Sequence, residues 1–130
     1  MSRRIDIHYN DLQFSAPTPL SAAELPTLPG VYAVAVRNPV WRPAPFQPIY
    51  FGQAGNLSQV DLGPGHEAFA RWHRHPLASD GLFASFYVLL YSSETMRRAT
   101  EMRLIAEYRP DCNHPVTEIK HGLLGLARGY

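Results

Sequence analysis

Prolines divide this chain more firmly than any other feature of it. Twelve of its 130 residues are proline. Each fixes φ and removes a backbone donor, so helices and central strands must fit between them. Four fall in the eleven residues from Asn38 to Pro48, which predicts a loop. Pro76 stops a helix expected over His66 to His75. Arg109-Pro110 ends the longest expected helix, Ser93 to Tyr108, which Ser92 or Ser93 can cap. Gly63-Pro64-Gly65 is the clearest breaker of a second loop, Gly55 to Gly65, with room for a helical turn around Leu57 to Val60.

Between these breaks lie the strands. Val31 to Arg37 is β-branched behind the Gly30 turn. Ile49 to Gln53 follows closely enough to predict an antiparallel pair with it. Leu82 to Tyr91 is the longest strand candidate, and its two apolar faces predict a central place in the sheet. Shorter elements are expected at Ile5 to Tyr9 (strand), Leu20 to Leu25 (one helical turn) and Glu118 to Leu124 (helix or strand). The expected fold class is α/β: a small, mainly antiparallel, three-stranded sheet flanked by helices. A chain of this length builds one core. The expected division is an N-terminal extension over 1–28 packed on the domain, the domain itself over 29–115, and a tail over 116–130.

Composition narrows the function classes. An apolar fraction of 45% with 18% charged residues is that of a soluble globular protein. The longest apolar stretch is too short to span a bilayer, and no apolar run follows the N-terminus, so neither a membrane span nor a signal peptide is expected. A single cysteine, Cys112, excludes an internal disulfide and a Cys-based metal cluster, which fits a reducing compartment, and a cytoplasmic location is expected. A net charge of +1 is no signature of a nucleic-acid-coating protein. Phosphate affinity would have to come from a local patch: Arg71, His73, Arg74 and His75, joined by Arg97 and Arg98. The same patch also reads as a solvated helix face.

Six polar residues stand out along this frame. Glu101 shares a helix face with Leu104, Ile105 and Tyr108. A carboxylate on an apolar face needs a partner, which could be a divalent cation or an arginine such as Arg97. Arg71 and His75 are four apart and project from one side of their helix. An Arg fork beside an imidazole suits a phosphoryl group, although a surface Arg and a His near a helix end would read the same way. Tyr32 and Tyr50 lie in neighbouring strands, as packing residues or as proton acceptors. Gly52 keeps the backbone clear for a close approach. Asn113 is a turn residue, or an amide that orients a side chain. His66 and His73 read as packing or edge residues on the side of the helix away from Arg71. His114 and His121 have no interpretable spacing.

In this order the six resemble the active site of the GIY-YIG nucleases. Leu28-Pro29-Gly30-Val31-Tyr32 is similar to the family's first motif. Ile49-Tyr50-Phe51-Gly52-Gln53-Ala54-Gly55-Asn56-Leu57 is similar to the second motif and its continuation. Arg71 with His75 resembles the helix motif of homing and restriction members. Ala99 to Ile105, followed by Tyr108 to Asn113, resembles the helix-to-Asn ending. The loop at Asn38 to Pro48 is longer than in compact members. An insertion before Arg71 leaves Val60 where a compact member places its arginine.

The resemblance implies a divalent-metal-dependent endonuclease that hydrolyses phosphodiesters in DNA, with RNA not excluded. It implies that Glu101 holds one Mg²⁺ or Mn²⁺, which contacts a non-bridging oxygen and the leaving 3′-oxygen. A tyrosine deprotonates water, Arg71 stabilises the phosphorane with His75 in support, and Asn113 braces the site. Gly52, Arg74 and Arg97 face the substrate, and the products carry 5′-phosphate and 3′-hydroxyl ends. Specificity would come from the loops, a homodimer or a separate partner. The alternative is a weak or inactive GIY-YIG module that binds nucleic acid or protein.

Overall fold

The computed structural model describes residues 6–113. The expected element at Glu118 to Leu124, the tail over 116–130, His114 and His121 lie outside them. The centre of the fold is a strand buried from Gly30 to Val36, β4 (Gly30–Arg37). Valine at 31, 34 and 36 alternates or runs with alanine and tyrosine, so both faces are apolar and both need cover. β5 (Phe46–Ala54) pairs antiparallel with one edge of β4, and β6 (Leu82–Val88) with the other. The expected pairing of the first two strands is therefore present, and the segment from Leu82 lies inside the sheet, as expected, beside β4. That segment turns away after Val88, where Tyr91 takes φ 57° and the Ser92 hydroxyl donates to the Leu89 carbonyl at 2.6 Å.

The sheet has four strands, not three. A two-residue strand, β3 (Thr18–Pro19), adds to the outer edge of β6, so the order is β3-β6-β4-β5. Its proline hides it in the sequence, yet an edge position asks no donor of Pro19 on its outer side. A separate hairpin, β1 (Ile7–Tyr9) and β2 (Leu12–Phe14), turns at Asn10 with φ 63°, a conformation asparagine tolerates well. β5 starts three residues earlier than expected and passes through Pro48. The register shifts between Val34 and Ala35, so that Tyr50 opposes Val34 and Pro48 opposes Ala35. A bulge on an edge strand is where a proline can be accommodated.

Each face of the sheet has its own core. On one face Tyr32, Val34, Val36, Ile49, Tyr50 and Leu57 pack with Trp72 of α1 (Phe69–Arg74). On the other, Val31, Ala33 and Phe51 pack with Tyr9 and Phe14 of the hairpin and with Leu104 and Ile105 of α2 (Glu94–Tyr108). The helix ends follow local chemistry. Ser93 caps α2, accepting from the Met96 amide at 3.2 Å. Arg109 closes it in the left-handed region at φ 46°, just before Pro110. α1 is shorter than the span from His66 to His75. Its start is delayed because the His66 ring takes the Ala68 amide for itself, a local bond that competes with the helix. Its end falls at His75, which is extended at ψ 137° ahead of Pro76. No helix among the described residues is long and apolar enough to cross a membrane.

Candidate active site

Regular pairing from Gly30 to Val34 decides which side chains meet. It puts Tyr50 on the same face as Tyr32, whose cross-strand partner is Gly52. The two rings lie with centroids 6.1 Å apart. Gly52 has a specific steric duty: a Cβ there would overlap the Tyr32 phenol. The Tyr32 ring fills the space that a side chain at position 52 would take.

The third member is His66, which the sequence reads only as a packing or edge residue. His66 Nε2 lies 2.8 Å from the Tyr32 hydroxyl. The imidazole also stands edge-on to Tyr50, at 5.2 Å, and lies 4.5 Å from the Trp72 ring. The expected helix from His66 hides the bond to Tyr32, because His66 stands before the helix rather than in it. The helix begins at Phe69, and a histidine directly after Gly63-Pro64-Gly65 was the available hint. Trp72 is fully buried, and its indole Nε1 has no hydrogen-bond partner among the described residues.

Arg71 is held rather than free. Its Nε donates to the Cys112 carbonyl at 3.0 Å, and Nη2 donates to both Glu67 oxygens at 3.1 and 3.2 Å. Nη1 makes no hydrogen bond among the described residues, and the side chain is 29% exposed. Glu67 also accepts from the Tyr50 hydroxyl at 3.4 Å, so one carboxylate joins the arginine to a tyrosine. Glu67 precedes Arg71 by four residues, a spacing visible in the sequence. The His75 side chain is only 6% exposed and binds Asp111 Oδ2 at 2.8 Å. Its Nδ1 accepts from the Leu77 amide, so Nε2 carries the proton and donates to Asp111. With both nitrogens engaged, His75 here is a brace between α1 and the segment after α2.

Asn113 braces from the same segment. Its Oδ1 accepts from the Phe51 amide and its Nδ2 donates to the Phe51 carbonyl, each at 2.9 Å. The amide thereby satisfies the free edge of β5 between Tyr50 and Gly52. Arg97 faces inward, donating to Gln53 Oε1 at 2.9 Å and to the Ser92 carbonyl at 2.7 Å. Arg98 pairs with Glu94. Arg74 and His73 are exposed, and the His73 ring stacks on Phe69 at 4.2 Å.

Glu101 enters from α2. It is half-buried and makes no hydrogen bond or ion pair among the described residues. Burial pushes its carboxyl above the usual range, offset in part by Arg98. Its charge reaches both tyrosines. Tyr32 is pushed up chiefly by burial, then by Tyr50, Glu101 and Glu67. Tyr50 is pushed up to about 12, mainly by burial and by Glu67, against a lowering hydrogen bond from Tyr32. Burial pushes the His66 imidazole down, which keeps it neutral.

The site thus gathers two strand tyrosines, a histidine, an arginine–glutamate pair and a carboxylate with no partner among the described residues. No family model matches the chain, and no curated protein matches it. Among solved structures it is similar to the GIY-YIG N-terminal endonuclease domain of UvrC from Thermotoga maritima. One tyrosine-to-phenylalanine point mutant of that domain, bound to the catalytic divalent cation, is 26% identical with a TM-score of 0.43, over 69% of this chain and 87% of that one. The form bound to magnesium is 28% identical with a TM-score of 0.42, over 68% and 86%. This is the family the motifs resemble.

Proposed function

We propose that the chain is a divalent-metal-dependent endonuclease that hydrolyses phosphodiester bonds in DNA. The observation that carries this reading is Glu101: a half-buried carboxylate without a partner among the described residues, beside two tyrosines. Such a group is costly to keep charged, and a hard cation is the partner its chemistry suits. No cluster of three or more His, Cys, Asp and Glu able to hold a metal occurs among the described residues. The fit is therefore to a Mg²⁺- or Mn²⁺-sized ion that keeps most of its waters and takes one protein carboxylate. When bound, such an ion supplies positive charge for the phosphate and for the leaving oxygen.

The chain's own residues account for the rest. Tyr32, ionised by losing its proton to solvent, accepts the proton of the attacking water as the new O–P bond forms. The P–O3′ bond breaks, and the leaving oxygen takes a proton from solvent. Arg71 Nη1 offers a donor to charge that develops on the phosphoryl oxygens. Asn113 holds the strand that carries Tyr50, and Gly52 leaves room for the Tyr32 ring. Arg74 is the exposed cation best placed on α1 to meet a neighbouring phosphate.

A second reading is favoured by one feature. Glu67 offsets the Arg71 charge and raises Tyr50, which suits a weak or inactive module that binds nucleic acid. A cleavage assay separates the two. Plasmid, single-stranded DNA, branched DNA and RNA are incubated with Mg²⁺ or Mn²⁺, beside Glu101→Gln. Cleavage that needs the metal and Glu101 is the expected result. Binding without cleavage of any of the four would move the chain to the second reading.

A further inference from the structure

We propose that His66 is a positioning residue that selects Tyr32, rather than Tyr50, as the proton acceptor, by donating Nε2–H to the Tyr32 oxygen. This rests on the nuclease reading above. The argument begins at the other ring nitrogen. The Ala68 backbone amide donates to His66 Nδ1 at 2.9 Å, so Nδ1 must carry a lone pair and no proton. In a neutral imidazole the proton then sits on Nε2. The 2.8 Å contact to the Tyr32 hydroxyl therefore runs from histidine to tyrosine, and the phenol oxygen accepts.

A phenol oxygen that accepts a fixed hydrogen bond is prepared for negative charge, because the same bond strengthens when the oxygen ionises. The Tyr32 hydroxyl in turn donates to the Tyr50 oxygen, and the Tyr50 hydroxyl donates to the Glu67 carboxylate. Ionising Tyr32 gives up a bond to a neutral phenol, whereas ionising Tyr50 would set two anions side by side. Burial weighs more heavily on Tyr32 than on Tyr50, and the bond from His66 acts against it. The two tyrosines look equivalent in sequence, and these two partners make them different. The His66 ring has little freedom to abandon the task. It is set edge-on to both tyrosines and rests against Trp72. Gly52 fixes the other side of the phenol, since nothing larger fits there.

The test combines one spectroscopic and one kinetic measurement on the full chain. A two-bond proton–nitrogen correlation spectrum of the labelled protein at pH 7 reads the His66 tautomer. An unprotonated Nδ1 with a protonated Nε2 is expected, with the Nε2 signal moved by Tyr32→Phe. A protonated Nδ1, or a signal indifferent to Tyr32→Phe, would overturn the proposal. Single-turnover cleavage of plasmid with Mg²⁺ is then compared among three chains. His66→Phe keeps an aromatic ring against Trp72 but lacks the donor. It should slow the rate at saturating substrate on the order of tenfold to a hundredfold, the worth of one hydrogen bond to a charged oxygen, with half-saturation unchanged. His66→Gln, whose side-chain amide can reach a similar point, should recover most of the rate. Melting curves establish that both variants fold, and the spectrum of the unmutated chain decides the tautomer if either does not. Equal rates in the unmutated chain and His66→Phe, or equal loss in both variants, would remove His66 alone. An unmutated chain that cleaves nothing removes the nuclease reading, and the catalytic meaning of His66 with it.

Discussion

Glu101 and His66 are both polar groups pressed toward their neutral forms, with opposite consequences for pH. Glu101 holds its proton more tightly folded than unfolded, since burial raises it from the usual 4.5. Its contribution to stability is greatest below that value and is lost as pH rises through the raised one. Glu101→Gln removes the penalty. At pH 7 the variant should unfold at a higher urea concentration than the parent, while metal-dependent cleavage falls by on the order of a hundredfold or more. An inactive but less stable variant would argue that the carboxylate has a structural partner. His66 is lowered from 6.5 by burial, against Glu67 and Asp61, which raise it, and with Arg71, which lowers it further. The groups facing its ring are Tyr32, Tyr50 and Trp72. Below pH 6.5 the unfolded chain binds the extra proton and the folded one resists it, so stability should fall with pH there. In His66→Phe that part of the slope should disappear from urea titrations between about pH 7 and 5. Gly52 supplies the sharpest steric test. Gly52→Ala should displace the Tyr32 ring and lower the single-turnover rate on the order of tenfold or more, as loss of reacting geometry does. A rate equal to the parent's would mean that the phenol has room to move without cost.

At the scale of elements, the site is held by a three-residue staple. Asp111 grips His75, and the Cys112 carbonyl accepts from Arg71. The Cys112 amide donates to the Ile49 carbonyl, and Asn113 clasps Phe51. One short segment thus ties α1 to the outer edge of β5. Asn113→Ala gives up both side-chain bonds to Phe51. It should cost about 1–3 kcal/mol, and hydrogen exchange should quicken at the Phe51 amide before it does in β4. Uniform quickening across the sheet would show that the edge is not a separate unit. Much of this frame was legible in the sequence. The antiparallel pair, α2 with its serine cap and proline stop, and the helical turns after Pro19 and Asn56 all follow from local chemistry. Three features were not, and each depends on a contact made across the fold. The β3 strand needs only two residues and an edge. The bulge at Pro48 is set by pairing with β4. The late start of α1 follows from a histidine side chain that claims a backbone amide. The sequence places His66 on the apolar side with Trp72, where it packs, but nothing local shows its bond to Tyr32, whereas Glu67 stands at helical spacing from Arg71.

For the whole molecule the question is how a chain of net charge +1 could hold a polyanion. The arginines give a spare answer. Arg97 spends its guanidinium on Gln53 and Ser92, and Arg98 pairs with Glu94. Arg71 is partly offset by Glu67, which leaves Arg74 as the exposed cation of α1. Each phosphate neutralised contributes roughly 0.9 to the dependence of log affinity on log salt for duplex DNA. Two to three contacts then predict a slope of about two to three and weak affinity for unmodified duplex. Arg74→Ala should lower that slope by about one and weaken binding to all sequences alike. Under the proposed mechanism Arg71→Ala should act differently, because its Nη1 would serve charge that appears only in the transition state. The single-turnover rate at saturating DNA should fall by on the order of a hundredfold, with little change in slope. Titrations at several salt concentrations, beside single-turnover rates, read both quantities from the same samples. If Arg71→Ala changes the slope and leaves the rate intact, then Arg71 docks the substrate and the transition-state charge is met elsewhere. If neither arginine moves the slope, the polyanion lies across a different face of the molecule, and the cleft of Tyr32, Tyr50 and Glu101 is not its seat.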